Sequence, residues 1–117
     1  MTTARRRKGS RGEAIAAAAL EQSGYIILER NWRCADGELD IVAKHRGEIV
    51  FVEVRARMDG MDTALESITP RKAAKLMLLA DLYLAAHPID NMPVRIDVVA
   101  VHLGSGATDI IENAVGW

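Results

Sequence analysis

Between Gly37 and Arg57 the chain carries two β-rich runs separated by a few turn-forming residues, and this segment restricts the fold more than any other. Leu39, Ile41 and Ala43 alternate with Glu38, Asp40, Val42 and Lys44; His45-Arg46-Gly47-Glu48 follows, and Ile49 to Arg57 resumes the β pattern. Two such runs around a short Gly-containing loop predict an antiparallel hairpin. With a two-residue turn at Arg46-Gly47, Asp40 faces Glu53 and Glu38 faces Arg55. Side chains alternate along a strand, so each facing pair shares one side of the hairpin. The other side then carries Leu39, Ile41 and Ala43 against Val50, Val52 and Val54, an apolar surface bound for the core.

The flanking elements follow from local signals. Residues 1–9 read as a flexible basic tail and 10–117 as a single domain. Helix 1 is expected from about Arg11 to Gln22, with Ser10 as N-cap and Glu13 completing a capping box. Ala14 and Ala16 to Leu20 are strong helix formers, and Gly24 supplies the stop. Tyr25 to Leu28 starts a strand running towards Trp32. Residues 58–68 read as a loop. Thr69-Pro70 opens helix 2, whose apolar stripe is Ala73, Leu76, Met77, Ala80, Tyr83 and Leu84. Pro88 ends it; Val94 to Leu103 is a long strand and Thr108 to Ala114 a short edge strand. The expected class is α/β: a mixed central β-sheet flanked by helices, in the order α-β-β-β-α-β.

The 117 residues suffice for one domain. No apolar run approaches the ~20 residues of a membrane span, so no membrane partner is expected. Cys34 is the one cysteine, which excludes an intrachain disulfide and suits a reducing, cytoplasmic setting. The net charge of −1 hides an asymmetry: residues 1–11 hold five basic residues and no acid, whereas the remainder holds ten basic and sixteen acidic ones. Any phosphate contacts must therefore come from the tail or a local patch.

Two carboxylates facing each other across an antiparallel pair repel unless something compensates. A divalent cation is one compensator, since Mg²⁺ is commonly held by one or two carboxylates together with water and substrate phosphate. Ordinary cross-strand ion pairs on an outward face are the competing explanation. For Glu13, capping explains a glutamate without any metal, but its helical face also packs towards the sheet. Arg71, Lys72 and Lys75 oppose the helix 2 macrodipole, so local stability does not account for them; phosphate contact or a solvated polar face does. Arg57 projects on the face of Glu53 and Arg55 and is a further candidate phosphate contact. His45, His87 and His102 make no ligand spacing with Cys34, which speaks against zinc.

Gly12-Glu13, Asn31-Trp32-Arg33, Gly37-Glu38-Leu39-Asp40 and Phe51-Val52-Glu53-Val54-Arg55-Ala56-Arg57 together resemble the YraN-like family of small bacterial proteins. The resemblance runs from about Gly12 to Asp97. It implies a restriction-endonuclease-like core of the PD-(D/E)-x-K nuclease superfamily, near the archaeal Holliday junction resolvases. By position, it makes Asp40 the metal-binding aspartate, Glu53 the acidic member of the triplet and Glu13 an additional helix ligand. Arg55 stands where the triplet has lysine. An arginine effectively never loses its proton, so water activation would rest on Mg²⁺ or Mn²⁺, with Arg55 as an electrostatic clamp. The resemblance implies phosphodiester hydrolysis in DNA, with branched DNA as one substrate and RNA left open; a homodimer would suit a junction. The superfamily also contains inactive members, so a non-catalytic nucleic-acid-binding or scaffold protein on the same fold is the alternative.

Overall fold

A computed structural model of the chain describes residues 4–58, 67–89 and 91–116. Seven elements follow in order: α1 (Ala4–Gln22), β1 (Ile26–Cys34), β2 (Gly37–His45), β3 (Glu48–Arg57), α2 (Pro70–Ala86), β4 (Val94–His102) and β5 (Thr108–Val115). The strands form one sheet in the spatial order β1-β2-β3-β4-β5. Every neighbouring pair is antiparallel except β3 and β4, which run parallel because α2 carries the chain across the sheet between them. This is the α/β mixed sheet with flanking helices that the sequence predicts.

The hairpin forms in the expected register. Rungs run from His45–Glu48 at the turn to Ile41–Val52. Arg46 and Gly47 have φ of 51° and 77°, the left-handed pair that a two-residue turn needs to match strand twist. The facing of the two sides departs from expectation. Ile41, Ala43, Val50 and Val52 pack with Ala16, Ala17 and Leu20 of α1, but Leu39 packs with Val42, Ile49 and Phe51 against Leu76, Leu79 and Tyr83 of α2. Both faces of the hairpin are thus core, because each is covered by a helix. The unbroken apolar run Ile49 to Val52 is what a strand buried on two sides requires. Leu39 and Ile41 point to opposite faces although they are two apart, so the strand is irregular at Asp40.

Helix α1 starts at Ala4, not near Arg11. Ser10 therefore lies inside the helix and caps nothing, and the capping box with Glu13 does not exist. The first residues are alanine, arginine and lysine, all good helix formers, and they carry the helix through Gly9 and Ser10 into the stretch expected to be tail. At its other end Tyr25 N–H donates to Leu20 O and Gly24 N–H to Glu21 O, which closes α1 with a Schellman-type stop and delivers Tyr25 to the core. Gly12 lets the helix lie directly on β3: a Cβ there would stand 2.7 Å from Ala56 Cβ.

Thr69 caps α2 as expected, accepting from Lys72 N–H at 3.1 Å, with Pro70 in the first turn. The expected loop 58–68 falls largely outside the described residues. Both sheet margins are irregular. β1 has a register shift between Ile27 and Glu29 and a left-handed Asn31, with φ 56°. The β4–β5 pairing shifts between Ile96 and Val98, and Asn113 has φ 51°.

Asp97 sits fully buried in a polar network separate from the hairpin carboxylates. Its Oδ1 accepts from Arg95 Nε at 3.0 Å and from Asn113 N–H at 2.9 Å, and its Oδ2 accepts from Tyr25 Oη at 2.7 Å. Arg95 also reaches Glu48 at 2.7 Å and His45, whose ring stacks on Tyr25 with centroids 3.7 Å apart. Burial, the Asp97 bond and its charge push the Tyr25 hydroxyl well above the usual phenol range, so it stays a donor.

Candidate metal and phosphate site

The regular hairpin ladder stops at Ile41–Val52, one rung before Asp40 would meet Glu53. Where the ladder stops, the Asp40 side chain takes the place of a backbone acceptor: its Oδ2 accepts the Val54 N–H at 2.9 Å. Asp40 and Glu53 are still brought together, through a side chain that turns into the gap between strands. Their carboxyl groups come close enough for each to oppose the other's ionisation. Burial, and then the Glu53 charge, push Asp40 up to about 8 against the opposing Val54 bond, and Glu13 adds a further repulsion. The fold thus favours the protonated form of Asp40.

Glu53 is 5% exposed and is the only glutamate among the described residues that is buried. Two cations approach its Oε2: Lys72 Nζ at 3.4 Å, from the first turn of α2, and Arg55 Nε at 3.6 Å, from the same strand. Arg55 Nη2 donates to Ser67 O at 3.3 Å, which anchors the guanidinium. Its Nε is buried with no hydrogen-bond acceptor in range. The expected facing of Glu38 with Arg55 does not occur. Glu38 instead bonds Arg33 across the β1–β2 pair at 3.1 Å, an exposed contact of small energetic worth.

Glu13, freed of any capping role, sits half-buried on α1. Burial raises its pKa, the Asn31 side-chain bond opposes that, and Glu38 adds to it. It is close enough to act electrostatically on Asp40. Glu13, Asp40, Glu53, Arg55 and Lys72 thus gather in one region from four elements. Lys72 does more than the sequence suggests, because it reaches the buried glutamate directly. Arg71 and Lys75 line a cavity of about 570 Å³ with Thr69, Lys72, Ala74 and Leu78 on the outer side of α2. Arg57 lies further along β3 and donates to Ala56 O at 3.4 Å, without touching the carboxylates.

Among the described residues, no group of three or more His, Cys, Asp or Glu side chains is gathered in a form that could hold a metal ion. The donor chemistry nonetheless suits a hard divalent cation. The two acidic groups of Asp40 and Glu53 lie close together, and a water-rich ion needs only one or two protein carboxylates. Residues that spacing alone does not reveal are Gly12 and Asn31; both lie inside the motif stretches, but nothing in their spacing foretells a close approach or a left-handed backbone.

The model of the uncharacterised protein family UPF0102 matches residues 12–101. Two similar proteins are a UPF0102 protein of Roseiflexus castenholzii and one of Chloroflexus aurantiacus. The first is 54% identical over 94% of this chain and 90% of its own length. The second is 50% identical over 99% of this chain and 98% of its own. Among solved structures, an XisH family protein from Nostoc punctiforme aligns with a TM-score of 0.46 and 13% identity, over 86% of this chain and 98% of that one. No helix among the described residues is long and apolar enough to cross a membrane.

Proposed function

We propose that this chain, which belongs to UPF0102, the YraN family its motifs resemble, is a metal-dependent endonuclease-like protein of the cytoplasm that hydrolyses phosphodiester bonds in DNA. The observation that carries this reading is the Asp40–Glu53 pair: two acidic side chains brought together in a buried corner, with basic side chains around them. Local stability does not explain such a pair, since like charges brought together out of water cost free energy.

Asp40 and Glu53 would hold Mg²⁺ or Mn²⁺, with Glu13 near enough to add its charge. When bound, the ion supplies charge neutralisation at the phosphate and acidity to water. Arg55, tethered to Ser67 O, keeps its proton and presents a fixed positive charge to a phosphoryl oxygen. Lys72 adds a second cation on the same side. Arg71 and Lys75 offer contacts to flanking phosphates, and Arg57 extends the basic track along β3. The neutralised Asp40 and the two cations on Glu53 leave the region able to accept an anionic backbone.

One observation favours a second reading. Arg55 and Lys72 already neutralise Glu53 without any metal, as a non-catalytic nucleic-acid-binding protein on this fold would require. The two readings separate in a calorimetric Mn²⁺ titration followed by nicking assays on branched and linear DNA. Metal binding and cleavage that vanish together in Asp40→Asn and Glu53→Gln support the enzyme. DNA binding indifferent to metal, with no cleavage, supports the binder.

A further inference from the structure

We propose that Lys72 exchanges partners when nucleic acid binds: it leaves the buried Glu53 carboxylate for a backbone phosphate seated in the cavity along α2, so that phosphate binding and the release of Glu53 are one event. The inference rests on the nucleic-acid contact that both readings above share, and it needs no metal.

Lys72 belongs to both places. Its Nζ stands 3.4 Å from Glu53 Oε2, and the same side chain, 37% exposed, lines the cavity of about 570 Å³. Arg71, Ala74, Lys75 and Leu78 share that lining, and their spacing of three and four puts them on one face of the helix. Among the described residues the lining carries three cations and no acid, on a chain whose net charge is −1. Such a local concentration of positive charge attracts an anion. The two cations on Glu53 differ in freedom. Arg55 is anchored by its bond to Ser67 O at 3.3 Å. Lys72 has a compact ammonium on a flexible four-carbon stem, so its head can swing while the Thr69 cap holds its backbone at 3.1 Å. When Lys72 leaves, Arg55 Nε stays 3.6 Å from Glu53, so the buried carboxylate is not stranded without a counter-charge. A phosphate drawn in by Arg71 and Lys75 therefore competes with Glu53 for Lys72, and its arrival frees an oxygen of Glu53.

The test follows binding of a fluorescent DNA duplex by anisotropy, in EDTA, over a range of salt concentrations. Lys72→Met should weaken binding and lower the slope of log affinity against log salt by about one, as expected for one lost phosphate contact. Glu53→Gln, which keeps the shape and removes the competing charge, should tighten binding at least about twofold. Placed on Lys72→Met, the same change should give a smaller gain, because the partner it releases is gone. Equal gains with and without Lys72 would mean that Glu53 acts on DNA through its charge alone, and would overturn the exchange. Unchanged or weaker binding in Glu53→Gln overturns it as well, since Glu53 would then support Lys72 instead of competing for it. Glu53→Asp, which keeps the charge but draws it away from Lys72, gives the same reading if Glu53→Gln does not fold. If the wild-type protein binds no duplex at any salt concentration, the nucleic-acid reading fails and the exchange with it. Duplex binding that ignores Lys72 rejects the exchange alone.

Discussion

Asp40 is the side chain whose ionisation the fold opposes most strongly, and that has a measurable sign. Its folded pKa of about 8 lies above its ordinary value of 3.8, so the native state binds the proton more tightly than the unfolded chain does. The associated stability is fully present below pH 4 and is lost as pH rises through 8. The unfolding free energy read from urea titration should therefore fall between pH 5.5 and pH 8.5, by at most ~3 kcal/mol from this group. Asp40→Asn should flatten that slope; a wild-type free energy that rises over the same interval would contradict the raised Asp40 pKa. Mn²⁺ affinity should run the other way, strengthening up to about pH 8 as the competing proton leaves. Arg55 gives a second expectation at this scale. Arg55→Ala should reduce cleavage about a hundredfold or more, in the range of a lost transition-state charge contact, while Arg55→Lys retains part of it. Unimpaired cleavage in Arg55→Ala removes its assigned role. The meeting of Asp40 and Glu53 was legible because turn chemistry fixes hairpin register. The route was not, because a strand's alternation gives no warning of a side chain that replaces a backbone acceptor.

Helix α1 shows how much an element depends on one small residue. Gly12 sits where the helix touches β3, and a methyl group there would lie 2.7 Å from Ala56 Cβ. Gly12→Ala should force the two elements apart and cost about 1–3 kcal/mol, read as a lowered urea midpoint. It should also weaken Mn²⁺ binding by moving Glu13. Adding Ala56→Gly should restore much of both; a double variant as impaired as the single one would show that the contact is not the cause. The start of α1 was misread because Ser10 followed by Glu13 has the form of a capping box, whereas the alanine, arginine and lysine before it extend the helix past that signal. The start of helix α2 was legible, since Thr69 and Pro70 mark it without competition, but the expected stripe missed Leu79, which is buried.

At the scale of the whole molecule, Arg95 and Asp97 tie segments more than seventy residues apart, through Tyr25, to the hairpin turn and β5. No spacing rule connects such positions, so nothing in the sequence foretells this network. Removing one charge of a buried pair strands the other. Arg95→Leu should therefore cost about 3–5 kcal/mol, seen as a drop in melting temperature, while Mn²⁺ affinity in the folded protein stays unchanged. A loss of affinity without loss of stability would mean that the two polar regions communicate. The sheet's margins have a consequence for how copies of the molecule meet. A straight outer strand offers a template for endless edge-to-edge growth, but β1 carries a shifted register and a left-handed Asn31, and the outer pair β4–β5 is interrupted near Asn113. Even with Ile26 63% exposed on that outer strand, concentrated solutions should scatter light as discrete particles and not as fibres.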